Sequence, residues 1–178
     1  FVGVEEILAV LEKVTLDGSS ACGVELDTPF KRITYAEAMD RYGSDKPDTR
    51  ILLELHDLTD VFMTSEFKAF RGVADDGGIV KALAIPNAKE LSRGEIDRLE
   101  KMVRKELGAK GLGWIRVEDD GSWKSPITKF LGEPEIEAIR DRCKAEPGMV
   151  IFFQADTKDR ANTILSRLRE DLGARLGR

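Results

Sequence analysis

The run Met-Val-Ile-Phe-Phe at residues 149–153 constrains the fold of this chain more than any other local pattern. Five consecutive apolar residues match the length of a strand better than that of a helix. A strand without polar alternation is buried on both faces, as the central strands of covered sheets are. The run therefore predicts a central strand, and with it a sheet that helices cover.

Three further strands are predicted after residue 65. The first two occupy residues 67–71 and 79–85 and are joined by Asp75-Asp-Gly-Gly78, a strong turn sequence. The third strand covers residues 112–117. Together with the central strand, these segments predict an antiparallel or mixed sheet.

Helices alternate with these strands. Ser92 and Glu95 form a capping-box pattern before one helix, and Pro134 suits the first turn of another. Asp156 caps a last helix. Its apolar stripe consists of Ala161, Ile164, Leu165, Leu168, Leu172 and Leu176. The simplest arrangement that buries these faces is an α+β fold of two layers, with helices on one face of the sheet.

The first 65 residues predict a helical and loop segment. One helical face is formed by Val4, Ile7, Leu8, Leu11 and Val14. The turn formers Asp17-Gly-Ser-Ser20 predict that this helix stops there. Thr34 and Glu37 form a capping box before a short helix that Gly43 ends, and residues 55–62 predict another short helix. A chain that opens on an uncapped apolar helix without Met is expected to be truncated.

Composition narrows the class of protein. The 178 residues suit one domain, or one domain with an appended segment. The net charge of −5 argues against non-specific nucleic-acid binding, although it permits a small local contact with RNA. Two cysteines without metal or disulfide spacing fit a reducing cytosol. No apolar run is long enough for a membrane span, and no signal peptide is evident.

The most distinctive string is Thr34-Tyr-Ala-Glu-Ala-Met-Asp-Arg-Tyr-Gly-Ser-Asp-Lys-Pro-Asp-Thr-Arg50. It resembles the segment that follows the second class-defining motif in bacterial-type aspartyl-tRNA synthetases. The region from about Leu55 to Leu176 resembles the GAD insertion domain of those synthetases, which one subunit of a tRNA-dependent amidotransferase also carries. The matching pieces are Gly108-Ala-Lys-Gly-Leu112, Ser125-Pro126, Lys129-Phe-Leu131, Phe152-Phe-Gln-Ala-Asp156 and Leu168 to Gly177.

The resemblance implies a division of the chain and a function. Residues 1–54 would belong to the class II catalytic core, with a signature loop at residues 42–50, and residues 55–178 would form a β-β-α-β-β-α GAD insertion domain. The implied role is that of an accessory domain in ATP-dependent charging of tRNA with aspartate. The implied parent enzyme is a cytoplasmic homodimer that uses ATP and magnesium and has no membrane partner. The implied partners of this chain are aspartate tRNA and the rest of the catalytic domain.

The alternative is a non-catalytic module that binds tRNA or a partner domain, as in the amidotransferase subunit. The signature loop favours the synthetase. By the resemblance, the catalytic arginines and the acidic magnesium ligands fall before Phe1 and after Arg178. The chain alone is therefore predicted to be inactive, with no catalytic residue, cofactor or metal ligand of its own.

Ser44, Asp45, Lys46 and Asp48 are the candidate site residues. They place a hydroxyl, two carboxylates and an ammonium within five residues. One interpretation, implied by the resemblance, is a loop near the substrate that helps position the tRNA end. The other is a polar turn after a helix, in which Asp and Ser side chains bond to the backbone. The sequence does not separate the two.

Other reactive or charged residues predict no site. His56 is the single histidine and has no triad or metal-ligand partner pattern, so a surface or helix-capping role is expected. Cys143 lies on an apolar helical face and is expected to be a buried thiol. Basic residues cluster in 101–110 and 167–178, where a contact with an acceptor-stem phosphate is conceivable. Interleaved acidic residues favour ordinary helix-end charges instead.

Overall fold

A computed structural model of the chain describes residues 2–176; Phe1, Gly177 and Arg178 lie outside the described residues. The chain forms two compact units, residues 1–34 and 35–178. The helices are α1 (Val4–Ala21), α2 (Tyr35–Arg41), α3 (Thr59–Met63), α4 (Lys68–Asp75), α5 (Arg93–Leu107), α6 (Glu133–Cys143) and α7 (Lys158–Leu176). The strands are β1 (Leu55–Asp57), β2 (Ile79–Ile85), β3 (Gly113–Val117), β4 (Trp123–Lys124) and β5 (Val150–Asp156). Across residues 2–176, no helix has the length and apolar content that crossing a membrane requires.

In the first unit, α1 continues through the predicted stop at residues 17–20. That prediction is wrong: all four turn formers are helical, none is buried, and Lys13 and Asp17 pair at 3.1 Å along the helix. The helix ends at Ala21, and Gly23 two residues later has a φ of +76°. The amides of Gly23 and Val24 each donate to a carbonyl of the last turn at 2.9 Å, as glycine terminators do.

In the second unit, β5 is the central strand that the apolar run predicts. The five strands lie in the order β1-β2-β5-β3-β4, and all neighbouring pairs are antiparallel. Seven residue pairs join β2 to β5, from Ile79 opposite Asp156 to Ile85 opposite Val150. Phe152 and Phe153 are both fully buried although they point to opposite faces. The α+β class and the antiparallel sheet are therefore confirmed.

Helices cover both faces of this sheet, so the prediction of helices on one face is wrong. One face packs against α5 and α7, and the other against α3, α4 and α6. The physical reason is that β2 and β5 carry apolar residues at consecutive positions. Both of their faces must therefore be removed from water.

Two local predictions before β2 are also wrong. Residues 67–71, predicted as a strand, begin helix α4, whose Phe70 and Ala74 are one turn apart and both buried. The ring of Phe70 packs edge-on against Phe62 of α3 at 4.9 Å between centroids, and it lies 6.2 Å from the ring of Phe153 in β5. Residues 55–62, predicted as one helix, divide into β1 and α3. Leu55 pairs with Leu83 of β2, and the Asp57 carboxylate accepts from the Thr59 amide at 2.8 Å where α3 begins.

The helix signals at Ser92, Gly108 and Pro134 are confirmed, whereas Asp156, predicted to cap the last helix, is the last residue of β5 and accepts from the Thr157 amide at 2.8 Å. The Ser92 hydroxyl accepts from the Glu95 amide at 3.3 Å, and Gly108 ends α5 with a φ of +65°. Pro134 lies in the first turn of α6. The predicted apolar stripe of α7 is buried from Ala161 to Leu172.

Candidate functional site: the signature loop and helix α7

The signature loop begins where α2 ends. Gly43 has a φ of +69°, a conformation that residues with a Cβ atom rarely adopt. A Cβ atom there would lie 2.7 Å from the carbonyl oxygen of Asn162 and 2.9 Å from Cδ1 of Leu55. Glycine is therefore required both by the turn and by the close approach of the loop to α7.

The end of α2 is anchored to the sheet by a buried lysine. Lys81 of β2 is 1% exposed, and its Nζ donates to the main-chain oxygen of Asp40 at 2.8 Å and to the Asp40 carboxylate at 3.2 Å. A buried ammonium needs such acceptors to offset its loss of water. A cation at the carboxyl end of a helix also interacts favourably with the helix dipole. The loop thus starts from a fixed point on β2.

Arg169 of α7 holds the residues that follow the loop. Its guanidinium is fully buried and donates to three carbonyl oxygens: to Leu53 at 2.6 Å, to Ile51 at 2.6 Å and to Asp48 at 2.9 Å. Burial lowers the pKa of this guanidinium from its usual value. Because all three bonds end on main-chain oxygens, Arg169 fixes the backbone path of this segment.

Close packing reinforces these bonds on both sides of Arg169. Its guanidinium carbon lies 4.7 Å from the centre of the Tyr42 ring, within the range of cation–π attraction. Further along α7, a Cβ atom at Gly173 would lie 2.5 Å from Cγ2 of Ile51. We call residues 42–53 the docked segment, because α7 contacts it near both ends and at Asp48 between them.

Within the loop, the four predicted site residues separate into two groups. Asp48 pairs with Arg50: the carboxylate accepts from the Arg50 amide at 3.0 Å and from its guanidinium at 2.7 Å. These bonds lower the pKa of Asp48 to about 2. Ser44, whose hydroxyl accepts from the Lys46 amide at 3.3 Å, faces a groove together with Asp45 and Lys46. Asp48 does not line that groove.

The groove has a volume of about 500 Å³ and lies between the loop, α2 and α7. We call it the loop groove. Its lining residues are Tyr35, Met39, Gly43, Ser44, Asp45, Lys46, Thr163, Ser166, Arg167 and Glu170. The sequence interpretation missed the members contributed by α7. Their spacing of three, four and seven residues from Thr163 places them on one helical face, and this is the signal that could have found them.

The other residues considered from the sequence form no second site. His56 lies half-buried in β1, where burial lowers its pKa, so it caps no helix. Cys143 is buried, and burial raises the pKa of its thiol to about 12. Arg104 pairs with Glu100, and Arg175 pairs with Asp171 and Glu95, so one cation of each basic cluster is neutralised. Within residues 2–176, no group of three His, Cys, Asp or Glu residues is placed to hold a metal ion.

The comparisons with known proteins agree with this fold. The sequence profile of the GAD domain family matches residues 70–165, more than half of the chain. The chain therefore belongs to the GAD domain family. The docked segment precedes the matched region, which ends at residue 165, within the first half of α7.

Individual relatives extend the similarity to nearly the whole chain. The aspartate–tRNA(Asp/Asn) ligase of Aquifex aeolicus is 50% identical over 174 residues, which is 97% of this chain and 28% of the relative. The ligase of the same name from a Hydrogenobaculum species is 48% identical over 99% of this chain. The aspartate–tRNA ligase of Shouchella clausii is 45% identical over 97%. The chain spans less than a third of the length of each of these relatives.

Proposed function

We propose that this chain is the accessory part of an aspartate–tRNA ligase. Residues 1–54 belong to the class II catalytic core, and residues 55–178 form the GAD insertion domain. The observation that supports this assignment is the match to such ligases over 97–99% of the chain, which includes the signature loop as well as the GAD region. The whole enzyme is proposed to be a cytoplasmic homodimer that charges tRNA with aspartate.

In this proposal the chemistry belongs to parts of the enzyme outside this chain. ATP and magnesium supply the activated phosphate and neutralise charge in the adenylation step. No residue of this chain is proposed to be catalytic. Ser44, Asp45, Lys46 and Asp48 are proposed to lie near the tRNA end, with Arg169 fixing the loop that holds them.

A chimera tests the assignment. This chain would replace the 174 matched residues of the Aquifex aeolicus ligase. We expect the chimera to charge tRNA with aspartate in the presence of ATP, at a rate within about tenfold of the parent, because the exchanged sequences are 50% identical. The 178-residue chain alone is the negative control and should give no aspartate-dependent ATP–pyrophosphate exchange. A folded chimera that forms no aspartyl-tRNA would contradict the proposal.

A further inference from the structure

The loop groove contains two cations that form no ion pair with any other residue of the range 2–176. Lys46 and Arg167 line it from opposite walls, and neither side chain forms an ion pair with another described residue. By contrast, Arg41, Arg50 and Arg142 of the same unit are each paired with a carboxylate. Two exposed cations facing one cavity are available to an anion such as a phosphate group.

An aromatic side chain lies at the same groove. Tyr35, the first residue of α2, is 70% exposed although it is a large ring. Exposed aromatic rings beside cationic grooves are the surfaces on which single-stranded bases stack.

Acceptor groups complete the lining. Asp45 and Glu170 supply carboxylates, and Ser44, Thr163 and Ser166 supply hydroxyls. Carboxylates repel a phosphate, so they do not fit a site for inorganic phosphate alone. They do accept hydrogen bonds from sugar hydroxyls and base amino groups, and the 2′-hydroxyl distinguishes RNA from DNA. The volume of about 500 Å³ lies within the usual range of small-ligand pockets.

We propose that the loop groove binds one unpaired ribonucleotide of an RNA chain. The base stacks on Tyr35, the phosphate lies between Lys46 and Arg167, and the carboxylates accept from the ribose hydroxyl. This inference deepens the proposed function and rests on it, because RNA is the substrate class of that enzyme. It adds α2 and α7 residues to a site that sequence reasoning confined to the loop.

Fluorescence anisotropy on the 178-residue chain tests the proposal. The probe is a labelled RNA hairpin that ends in four unpaired nucleotides, titrated at several salt concentrations. A hairpin with a blunt end, a DNA version of the probe, and competition by ATP or inorganic phosphate form the remaining arms. We expect saturable binding of the tailed RNA, and at least tenfold weaker binding of the blunt hairpin and of the DNA.

Single substitutions test the role that the proposal gives to each groove residue. Tyr35→Ala should weaken binding by about tenfold or more and leave the salt dependence unchanged, because stacking releases no counterions. Lys46→Met and Arg167→Met should each weaken binding and lower the slope of log affinity against log salt, and the double variant should lower that slope by about 0.7, the value for one phosphate contact on a single strand. Asp45→Asn should reduce the preference for RNA over DNA. Lys89→Met is the matched control. Lys89 is exposed and follows the end of β2 that is farther from Lys81.

The proposal is overturned if the tailed hairpin does not bind saturably, or if Lys89→Met weakens binding as much as Arg167→Met. Equal competition by ATP or phosphate would assign the groove to free phosphate compounds and would also overturn it. The result of the RNA-binding experiment can be distinguished from the result of the chimera experiment. An active chimera with a chain that binds no RNA refutes only this inference, and RNA binding with a folded, inactive chimera refutes only the proposed function.

Discussion

Replacing Arg169 by Met tests whether this residue holds the docked segment to α7. The substitution keeps much of the side-chain length and its apolar contacts but removes every donor. Three carbonyl oxygens, those of Asp48, Ile51 and Leu53, then lose their partner. Met also removes the positive charge above the Tyr42 ring.

The expected magnitude follows from these bonds. Each hydrogen bond contributes about 1 kcal/mol net, and bonds from charged donors contribute more. Three bonds therefore give a loss of about 3 kcal/mol, since water reaches the freed carbonyls once the segment moves away. The loss should be local, because Ile51 and Leu53 can leave α7 without breaking the β2–β5 ladder.

Hydrogen exchange measures whether the loss is local, and urea denaturation measures the free energy of unfolding. Amides of residues 42–53 should exchange about 100-fold faster in Arg169→Met, a factor that corresponds to about 3 kcal/mol. Amides in β5 should change much less. Arg167→Met is the control, because Arg167 lies two residues away on the same helix with an exposed side chain; its free energy of unfolding should change by about 0.5 kcal/mol or less. Arg169→Lys should not rescue, since one ammonium cannot reach all three carbonyls.

Two results would refute the reasoning. If exchange in residues 42–53 is unchanged in Arg169→Met, the three bonds do not hold the segment. If exchange rises equally in β5 and in the docked segment, Arg169 stabilises the whole unit and not the loop in particular.

Three further predictions concern single residues. Gly43→Ala should lower the free energy of unfolding by about 2 kcal/mol or more, because of its positive φ and the nearby backbone oxygen, and an unchanged urea midpoint would contradict this. A thiol reagent should label Cys22, which is exposed, and reach Cys143 only after denaturation, so two fast-reacting thiols in the native chain would be the contrary result. NMR titration should give Asp48 a pKa of about 2. Its pairing therefore stabilises the fold above pH 3.8 and is lost as the pH falls towards 2, and Arg50→Gln should return the pKa towards 3.8.

Patterns of local origin predicted much of the fold. The apolar run at 149–153, the capping pattern at Ser92 and Glu95, and the turn proline at 134 depend on neighbours within a few residues, so the sequence contains the information they need. The wrong predictions concern segments whose structure depends on tertiary contacts. Residues 67–71 form a helix because Phe70 packs against Phe62 and the sheet, and this tertiary contact outweighs the strand preference of a short apolar stretch.

The candidate site divides in the same way. Ser44, Asp45 and Lys46 are adjacent in the chain, so their grouping could be predicted, and the structure brings them to one groove. Arg169 is more than 100 residues away from the carbonyls it binds. In the sequence it is one of several arginines near a helix end, and nothing local distinguishes it from the exposed Arg167.

The packing of the loop against α7 also explains why residue 43 is a glycine. Taken alone, that glycine is a helix terminator, and asparagine is a common substitute in such turns. The structure adds a second requirement, since any Cβ atom would strike the backbone of Asn162 on α7. Helix α7 thus forms both the support of the loop and one wall of its groove. Because a ligand held between Lys46 and Arg167 contacts both walls, its binding must also stabilise the docking of the loop on α7.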